Sequence, residues 1–567
     1  MSRPVVSLVN PNLVHPPITP YALDILSTAL EDNGFDPQVV DLTFRREDWA
    51  AALREHFARH DPLLVGVTIR NTDTIYPQEQ RVFLNQHREI IEHIKTLTSA
   101  PIVAGGVGFS TMPYALVDYF AIPYGVKGPG EHVLVWLAET LRTNGIVRSI
   151  PDLIINSGGG RVHRMPPHPT GRVPFAVARP ALTGAAVYRR RSATPGKVDN
   201  LAYYRHGGLG NILTKNGCPF ACTHCVEPDA KGSRFLRRGV SAVVDEMESL
   251  TAQGVLDLHT TDSEFNLLIA HSKAVLREVI RRRQRADSPL RALRLWIYAQ
   301  PAPFDEELVE LLAQAGCAGI NVAPDHVRED LLDGWKVTPR GHRYYTGADM
   351  DALCARAAAH DIPVMAEVML GMPGETEETL RDCVRRSLDW PAAVVGYTLG
   401  IRLFPYSPLG IRMAQRCAGH AAVAGLQSNT AIDPIVLTPR ERCAGELEYE
   451  RQFLFDNRGR IRPVYYFSPD LPETEETRSA PDGRWVNSLN LLRELVPPEQ
   501  HHRVMLPTLP GCCEDDNNYA DNPFLLRLTE LGYTGAFWSH WPLREQIMRG
   551  GEPVVAPLGT SWKGVAR

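Results

Sequence analysis

The sequence contains no apolar run of the roughly 18 to 20 residues that a membrane-spanning helix needs. Its first apolar stretch, in MSRPVVSLVNPN, ends at an Asn-Pro pair, too soon for the core of a secretory signal peptide. The chain also lacks an excess of charge of one sign, because 60 basic and 65 acidic residues leave a formal net charge of −5. We therefore expect a cytoplasmic protein whose partners include neither a membrane nor a nucleic acid.

Cysteine is also sparse, with ten residues in a chain of 567. Without a secretory signal, this number does not predict a disulfide framework. Three of the ten lie close together in KNGCPFACTHC, as Cys218, Cys222 and Cys225. Taken alone, they are compatible with buried small hydrophobic residues, with a redox pair beside a bystander, or with three ligands of one metal centre.

Short apolar runs alternate with helical patterns between Val5 and about Gly145, and these five βα units predict a doubly wound, Rossmann-like parallel sheet. Ligands of such sheets bind beyond the carboxyl ends of the strands. No G-x-G-x-x-G follows the first strand, which argues against a nicotinamide cofactor, whereas glycines after the fourth and fifth strands would admit a large flat ligand. The candidate cofactor-binding residues at these strand ends are Asn12, His15, Thr68, Arg70, Asn71, Gly105, Gly106, Gly108, Gly130 and Glu131.

The rest of the chain predicts three further segments. INSGGGRV predicts a hairpin, and the Pro- and Arg-rich stretch from Met165 to Pro195 predicts an extended linker. Six more βα units follow, typical of a partial (β/α)6 TIM-type barrel. After about residue 420 an aromatic, proline-rich α+β segment is expected to cover the barrel mouth and select substrate. The expected division is therefore 1–148 (first sheet), 149–204 (hairpin and linker), 205–420 (barrel) and 421–567 (cap).

The three close cysteines fall just after the first strand of the predicted barrel, at the end of the strands where barrel chemistry takes place. Thiolates spaced C-x3-C-x2-C can hold three corners of a 4Fe-4S cluster and leave the fourth iron open. Ferredoxin runs carry four cysteines and occupy every iron. This position favours the metal-ligand interpretation and indicates chemistry at the open iron.

The chain resembles the radical S-adenosylmethionine (SAM) superfamily, whose C-x3-C-x-aromatic-C signature matches Cys218, Cys222, His224 and Cys225. GMPGE at 371–375, which includes Gly374, is similar to the turn beside the SAM adenine in that superfamily. The first domain resembles the cobalamin-binding domain of one large subgroup, and the absence of D-x-H-x-x-G agrees with a cobalt that has no histidine beneath it. The resemblance implies a 4Fe-4S cluster, cobalamin and SAM as cofactors, with an external electron donor such as flavodoxin or ferredoxin.

Within this subgroup, the chain is similar to the tryptophan 2-C-methyltransferases of thiopeptide biosynthesis. The similarity rests on TDSEFN at 261–266, WIYAQ at 296–300, VAPDH at 322–326 and Arg70. It implies methylation of C2 of tryptophan, or of a related aromatic substrate, by way of methylcobalamin.

The resemblance also implies roles for single residues, each with an alternative. Arg70 would lie under the corrin and exclude water from cobalt, or instead contact a phosphate or propionamide. Glu264 would be the fourth ligand of the cluster, or instead contact SAM or substrate. Tyr298 would be the base for the ring proton, or instead a core tyrosine or a partner of the adenine. Pro324 and Asp325 stand where many relatives have residues that help to seat SAM.

Three functions remain open from the sequence. The first is a cobalamin-dependent methyltransferase acting on tryptophan. The second is the same machinery used to methylate an sp3 carbon or to rearrange a ring of another natural-product intermediate. The third, from a different class, is a non-catalytic cobalamin sensor, against which the complete cysteine triplet argues.

Overall fold

The structure is a computed structural model that describes residues 3–14, 16–75, 81–166, 197–416, 423–428, 431–476, 483–507 and 523–550. His15 and most of the predicted linker lie outside these residues. Among the helices of the described ranges, none is long and apolar enough to cross a membrane.

The first sheet has seven strands in the described residues, in the order β2-β1-β3-β4-β5-β6-β7. The first five are parallel, as the sequence predicts, and the predicted hairpin adds two antiparallel strands at one edge. The strands are β1 (Val5–Asn10), β2 (Asp36–Asp41), β3 (Leu64–Thr68), β4 (Ile102–Gly105), β5 (Tyr124–Val126), β6 (Leu153–Asn156) and β7 (Val162–Arg164). The helices are α1 (Tyr21–Asp32), α2 (Trp49–Arg59), α3 (Leu84–Leu97), α4 (Val107–Thr111), α5 (Pro113–Tyr119) and α6 (Glu131–Arg142).

The second sheet is parallel and open, and its described strands run in the order β20-β15-β14-β13-β12-β11-β8. Six of them are the strands of the predicted partial barrel. The strands of residues 197–416 are β8 (Gly210–Ile212), β9 (Lys215–Asn216), β10 (Leu236–Arg237), β11 (Asp257–Thr260), β12 (Arg294–Ala299), β13 (Cys317–Asp325), β14 (Val364–Leu370), β15 (Val394–Leu399) and β16 (Ile401–Arg402). The helices are α7 (Asn200–Arg205), α8 (Glu227–Lys231), α9 (Val240–Ala252), α10 (Ile269–Arg283), α11 (Glu306–Ala315), α12 (Glu329–Leu332), α13 (Gly347–Ala359), α14 (Glu377–Leu388) and α15 (Pro408–Gln415).

Three of the helices that cover this sheet, α11, α13 and α14, begin at residues whose side chains cap them. The Asp305 carboxylate accepts a hydrogen bond of 2.9 Å from the Leu308 backbone N–H and starts α11. Helix α11 ends at Gly316, whose φ of 87° is the left-handed conformation that glycine adopts without strain. Thr346 and Thr376 form capping boxes at the starts of α13 and α14. Local sequence therefore sets the helix ends.

The chain after residue 420 packs in two places. One part, with β16, forms a four-stranded sheet in the order β16-β19-β17-β18 and shares a hydrophobic core with the first domain. Another part adds β20 to the edge of the barrel sheet. The strands are β17 (Val423–Ser428), β18 (Ala431–Pro434), β19 (Val464–Tyr466) and β20 (Val504–Met505), and the helices are α16 (Glu446–Arg451), α17 (Gly483–Leu495), α18 (Pro523–Glu530) and α19 (Arg544–Met548).

Candidate functional site

A cavity of about 990 Å³ lies where strand ends of the two parallel sheets face each other. This is the upper end of the usual range for ligand pockets, so it has room for large ligands. The predicted site residues that line it are Asn12, Thr68, Arg70, Asn71, Gly105, Gly106, Gly130, Glu131, Cys218, Cys222, Cys225, Glu264, Tyr298 and Asp325. The fold therefore brings together residues that are up to 313 positions apart in the chain.

Two predicted residues do not line the cavity, and a third is not described. Gly374 has a φ of 86° and lies in the turn after β14, away from the cavity wall. Gly108 lies behind Arg70, where its N–H donates a hydrogen bond of 2.9 Å to the Arg70 carbonyl oxygen. His15 belongs to the residues that the structure does not describe.

Gly108 allows the start of α4 to approach β3 closely. A Cβ atom at this position would lie 2.7 Å from the Arg70 carbonyl oxygen, well inside contact distance. Gly106, with a φ of 106°, is restricted in the same way by the Ile69 carbonyl oxygen at 2.6 Å. The glycines of GGVGFS thus hold the backbone of Arg70 at the cavity edge.

The cysteine loop is tied down on both sides by backbone hydrogen bonds. The Cys218 N–H donates to the Gly232 carbonyl oxygen at 3.0 Å, and the Thr223 N–H donates to the Trp335 carbonyl oxygen at 2.8 Å. The Cys222 Sγ lies 3.8 Å from the Tyr344 hydroxyl oxygen. These contacts fix the loop, so the three thiols are presented to the cavity by a rigid backbone.

The three thiols suit an iron-sulfur cluster better than a single metal ion. In the described part of the chain, no three His, Cys, Asp or Glu side chains converge closely enough to hold one ion. Burial raises the pKa of the Cys218 thiol to about 12. Burial also raises the pKa of the Cys225 thiol well above its ordinary value, and Glu227 and the other two cysteines add to this shift. Thiolates in such a place require strong positive charge nearby, which iron supplies.

Glu264 lies in the loop after β11. Among the described residues, only one of its two carboxylate oxygens has a hydrogen-bond partner. Its Oε1 accepts a hydrogen bond of 2.6 Å from the Gln300 Nε2, while its Oε2 is buried without a hydrogen-bond partner among the described residues. Burial raises the pKa of Glu264 to about 8, against the opposing effects of Lys336 and Gln300. A buried carboxylate oxygen of this kind needs a proton or a cation.

A fully buried ion pair, not anticipated from the sequence, holds Glu264 in place. The Lys215 Nζ lies 2.8 Å from Asp262 Oδ2 and also donates to the carbonyl oxygens of Glu264, at 2.6 Å, and Phe265, at 3.0 Å. Asp262 in turn accepts a hydrogen bond of 2.7 Å from the Thr214 N–H. The loop after β11 is therefore bound to the residues that lead into the cysteine loop.

Asp325 is the centre of a second buried group beside the cysteine loop. Its carboxylate accepts hydrogen bonds from the Trp335 Nε1 at 2.9 Å and pairs with the Lys336 Nζ at 3.1 Å. His224 stacks on Trp335, with ring centroids 5.1 Å apart, and burial lowers its pKa to about 4, so the ring is neutral. In this position Asp325 orients Lys336 at the cavity wall.

The interior of the barrel extends the cavity beyond the cysteine loop. Tyr298 on β12 meets the His259 ring edge to face at 4.6 Å. Burial lowers the pKa of His259 to about 4, which leaves this imidazole neutral. Asn321 and Glu367 on the next two strands also line this part of the cavity. Its far wall is apolar and includes Met365, Leu506 and Phe537, of which the last two come from the C-terminal segment.

Comparison with known proteins agrees with both halves of this site. Residues 12–138 match the B12 binding domain, and residues 212–386 match the radical SAM superfamily. The chain is 54% identical to the tryptophan 2-C-methyltransferase of Streptomyces laurentii, over 99% of both chains. The chain belongs to the tryptophan 2-C-methyltransferase family. This membership confirms the resemblance predicted from the motifs, the two-domain α/β fold and the expectation of a radical SAM methyltransferase.

Two solved structures belong with this family. The radical SAM methyltransferase TsrM from Kitasatospora setae, with cobalamin and a 4Fe-4S cluster bound, is 55% identical and superposes with a TM-score of 0.88 over 97% of this chain and 99% of that one. The same relative with tryptophan and the SAM analogue aza-SAM bound gives a TM-score of 0.87 at 55% identity, over 96% and 98% of the two chains.

Proposed function

We propose that this protein transfers a methyl group from SAM to C2 of tryptophan, and that it uses a 4Fe-4S cluster and cobalamin. The observation that carries the proposal is the single cavity into which the cysteine loop, the first-sheet strand ends and the barrel interior all open. The ligands bound to the Kitasatospora setae relative support the choice of cofactors and substrate.

The residues that line the cavity fit a 4Fe-4S cluster and cobalamin. The thiols of Cys218, which is buried, and of the half-buried Cys222 and Cys225, together with the unsatisfied Oε2 of Glu264, provide four donors for a cluster. Strand ends that carry Gly105, Gly106 and Gly130 leave backbone free to contact a flat corrin. Cobalamin, when bound, supplies a cobalt centre that accepts a methyl group from the sulfonium of SAM and passes it to carbon.

Each proposed role belongs to a side chain of the cavity wall. Cys218, Cys222 and Cys225 hold the cluster, and Glu264 holds its fourth iron, which leaves SAM to bind in another way. Arg70, at the end of β3, excludes water from the lower face of the corrin, because a guanidinium stays protonated and does not coordinate a metal. The remaining cofactor contacts are assigned to Asn12, Thr68, Asn71, Gly105, Gly106, Gly130, Glu131 and Asp325. Gly108 is assigned a supporting role behind Arg70, and the contacts of His15 and Gly374 stay predictions from the sequence.

Methylation of an indole carbon replaces a ring proton, so the site must hold a proton acceptor and a planar pocket. Tyr298 is the proposed acceptor: its hydroxyl oxygen takes the ring proton while its own proton is released into the cavity, and the neighbouring His259 ring keeps it at the barrel wall. The apolar wall of Met365, Leu506 and Phe537 suits the benzo ring of the substrate. The chain thus orients the ring and removes its proton.

An external electron donor, a flavodoxin or a ferredoxin, is the proposed macromolecular partner. The hairpin of β9 and β10 leads directly into Cys218 and exposes 53% of Leu236. The exposed Arg234 and Arg237 flank Leu236 and make no ion pair among the described residues. A small acidic redox protein would complement this surface at a short distance from the cluster.

Location and domain division complete the proposal. A cytoplasmic location is proposed because cluster assembly needs reduced thiols. The division into 1–148, 149–204, 205–420 and 421–567 is supported by the five parallel strands of the first sheet and six strands of the second, which fall within the first and third segments.

The test is anaerobic reconstitution with iron, sulfide and cobalamin, followed by SAM, reductant and tryptophan. We expect 2-methyltryptophan and S-adenosylhomocysteine with little deoxyadenosine, measured by mass spectrometry. A Cys222→Ala variant should lose cluster and product, whereas Cys443→Ser, outside the cavity, should keep both. Deoxyadenosine without methylated tryptophan would contradict the proposal and favour hydrogen abstraction from another substrate.

The donor surface is tested separately. An Arg234→Glu, Arg237→Glu double variant should turn over slowly with reduced flavodoxin and normally with a small chemical reductant. An equal loss of turnover with both reductants would contradict the proposal that this surface docks the electron donor.

A further inference from the structure

The inner face of the barrel sheet carries a polar pair next to Tyr298. Tyr298 on β12 is the direct register partner of Asn321 on β13, and Asn321 is the partner of Met365 on β14. Glu367 lies two residues after Met365, so its side chain leaves the same face of the sheet. Its partner on β15 is Gly396, which has no side chain to occupy the space in front of it.

Asn321 is only 6% exposed, and only the NH₂ group of its side-chain amide is hydrogen-bonded among the described residues. Its Nδ2 donates a hydrogen bond of 3.0 Å to Glu367 Oε1, and this contact fixes the orientation of the amide because a carboxylate accepts only from the NH₂ group. Its Oδ1 is buried without a hydrogen-bond partner among the described residues. Buried polar atoms are nearly always paired, so this oxygen requires a donor that the described residues do not supply.

Among the cationic side chains that the structure describes, none forms an ion pair with Glu367. The cation that acts on it electrostatically, Lys336, is paired with Asp325 at 3.1 Å. Burial raises the pKa of Glu367, against the effect of its hydrogen bond from Asn321. Glu367 is partly exposed and lines the cavity, so its carboxyl group faces the cavity, where a bound cation would favour its charged form.

We propose that Asn321 and Glu367 bind the α-ammonium group of the amino-acid substrate. An ammonium group offers three N–H donors and one positive charge, which matches a carboxylate beside an unsatisfied amide oxygen. Neither residue has a role in the function proposed above, on which this inference rests for the identity of the substrate. The assignment makes the pair a determinant of specificity for amino acids over simple indoles.

The geometry agrees with a tryptophan that lies across three strands. Neighbouring strands are about 4.8 Å apart, so Tyr298 and Met365 are about 10 Å apart at the backbone; Glu367 is two residues further along β14 and therefore about 12 Å from Tyr298. An indole near Tyr298 can then direct the side chain at C3 toward Glu367. The apolar wall that includes Met365 and Phe537 is left for the benzo ring.

SAM also carries an α-ammonium group, so the experiment has to separate the two ligands. Anaerobic calorimetry on the full-length reconstituted protein measures the Kd of L-tryptophan and of indole-3-propionate, which has the same ring and carboxylate but no amino group. We expect wild type to prefer tryptophan by about tenfold or more, since a charged hydrogen bond contributes that much. The Glu367→Gln variant should bind both with nearly equal affinity.

The Glu367→Gln variant is also titrated with SAM and with the SAM analogue that lacks the amino group. Both affinities should equal those of the wild type. Thr398→Val, on the neighbouring strand of the cavity wall, is the matched control and should keep the preference for tryptophan. Cluster and cobalamin absorbance show that each variant is folded. Asn321→Ala is the second variant. It should reduce the preference for tryptophan over indole-3-propionate while the side chain of Glu367 is retained.

Three results would overturn the assignment. They are a wild type that does not discriminate between tryptophan and indole-3-propionate, a Glu367→Gln variant that still discriminates, and a variant whose loss concerns SAM alone. Because these are binding measurements, they are separate from the proposed function, whose failure would appear as the absence of methylated tryptophan from the wild type.

Discussion

Tyr203 and Tyr204 are consecutive residues of α7, yet their hydroxyl groups are bound in different domains. Tyr203 donates a hydrogen bond of 2.6 Å to Asp41, the last residue of β2 in the first sheet. Tyr204 donates one of 2.8 Å to Asp257, at the start of β11 in the barrel. The cavity lies between these two domains. The pair Tyr203–Tyr204, which we call the anchor, therefore helps to set the width of the cavity.

We predict that Tyr203→Phe and Tyr204→Phe each destabilise the protein. Either change leaves a buried carboxylate short of a hydrogen bond, which costs about 1 to 3 kcal/mol. Thermal unfolding followed by circular dichroism should show a fall in Tm of several degrees for both. Tyr119→Phe, which loses an exposed hydrogen bond to Asn85, is the control and should change Tm little.

The anchor also predicts an effect on ligands. If it sets the width of the cavity, both variants should bind cobalamin more weakly than Tyr119→Phe does. Unchanged cobalamin affinity in variants with reduced Tm would show that the anchor serves stability alone.

Gly108→Ala is predicted to weaken cobalamin binding in a protein that still folds. The added Cβ would lie 2.7 Å from the Arg70 carbonyl oxygen, so the strand end that carries Arg70 must move. Overpacking of this kind costs about 1 to 3 kcal/mol. Absorbance titration with hydroxocobalamin measures the change in affinity.

Gly239→Ala provides the matched control for Gly108→Ala. Gly239 has a φ of −62°, and a Cβ there would meet nothing within 4 Å. This variant should bind cobalamin like the wild type. Equal affinity in both variants would mean that the position of Arg70 does not matter for cobalamin.

Lys215→Met is predicted to be strongly destabilising, by about 3 to 5 kcal/mol, because it leaves Asp262 buried without its partner. It also releases the Glu264 carbonyl oxygen, so the cluster signal in electron paramagnetic resonance should change in the protein that remains folded. Arg527→Met, from an exposed pair with Glu530, should cost no more than about 1 kcal/mol.

A double variant separates the two effects of Lys215. Lys215→Met combined with Asp262→Asn removes the uncompensated charge and should recover part of the lost stability. The altered cluster signal should persist, because the contact with the Glu264 backbone is still missing. Full recovery of the signal would show that Lys215 acts only through charge.

The architecture was predictable from the sequence because apolar runs and helical periodicity are local signals. The five parallel strands of the first sheet and six of the seven described strands of the barrel sheet follow such runs, and the three cysteines mark their site by spacing. The pairs Lys215–Asp262 and Asn321–Glu367 were not predictable, because they depend on the register between strands distant in sequence. Strand β20 has two residues, too few for any periodic pattern, and forms only by pairing with β15.

The last prediction concerns pH and Glu450, a buried residue of α16 that lies against the first domain. Its carboxylate accepts hydrogen bonds from the Ala115 N–H at 2.8 Å and the Tyr406 hydroxyl at 2.7 Å. Burial raises the pKa of Glu450 to about 8, whereas its ordinary value is 4.5; the hydrogen bonds and the charge of Lys127 oppose the shift. The second carboxylate at the Tyr406 hydroxyl is Glu446, at 2.9 Å.

A raised pKa means that the folded state holds the proton more tightly than the unfolded state. The contribution of protonated Glu450 to stability is therefore complete below about pH 4.5 and is lost as the pH rises through about 8. Wild type should lose several degrees of Tm between pH 6 and pH 9. Glu450→Gln carries no ionisable group there and should lose less, so that the variant becomes relatively more stable as the pH rises. Parallel Tm curves for the two proteins would mean that Glu450 is already ionised at pH 6.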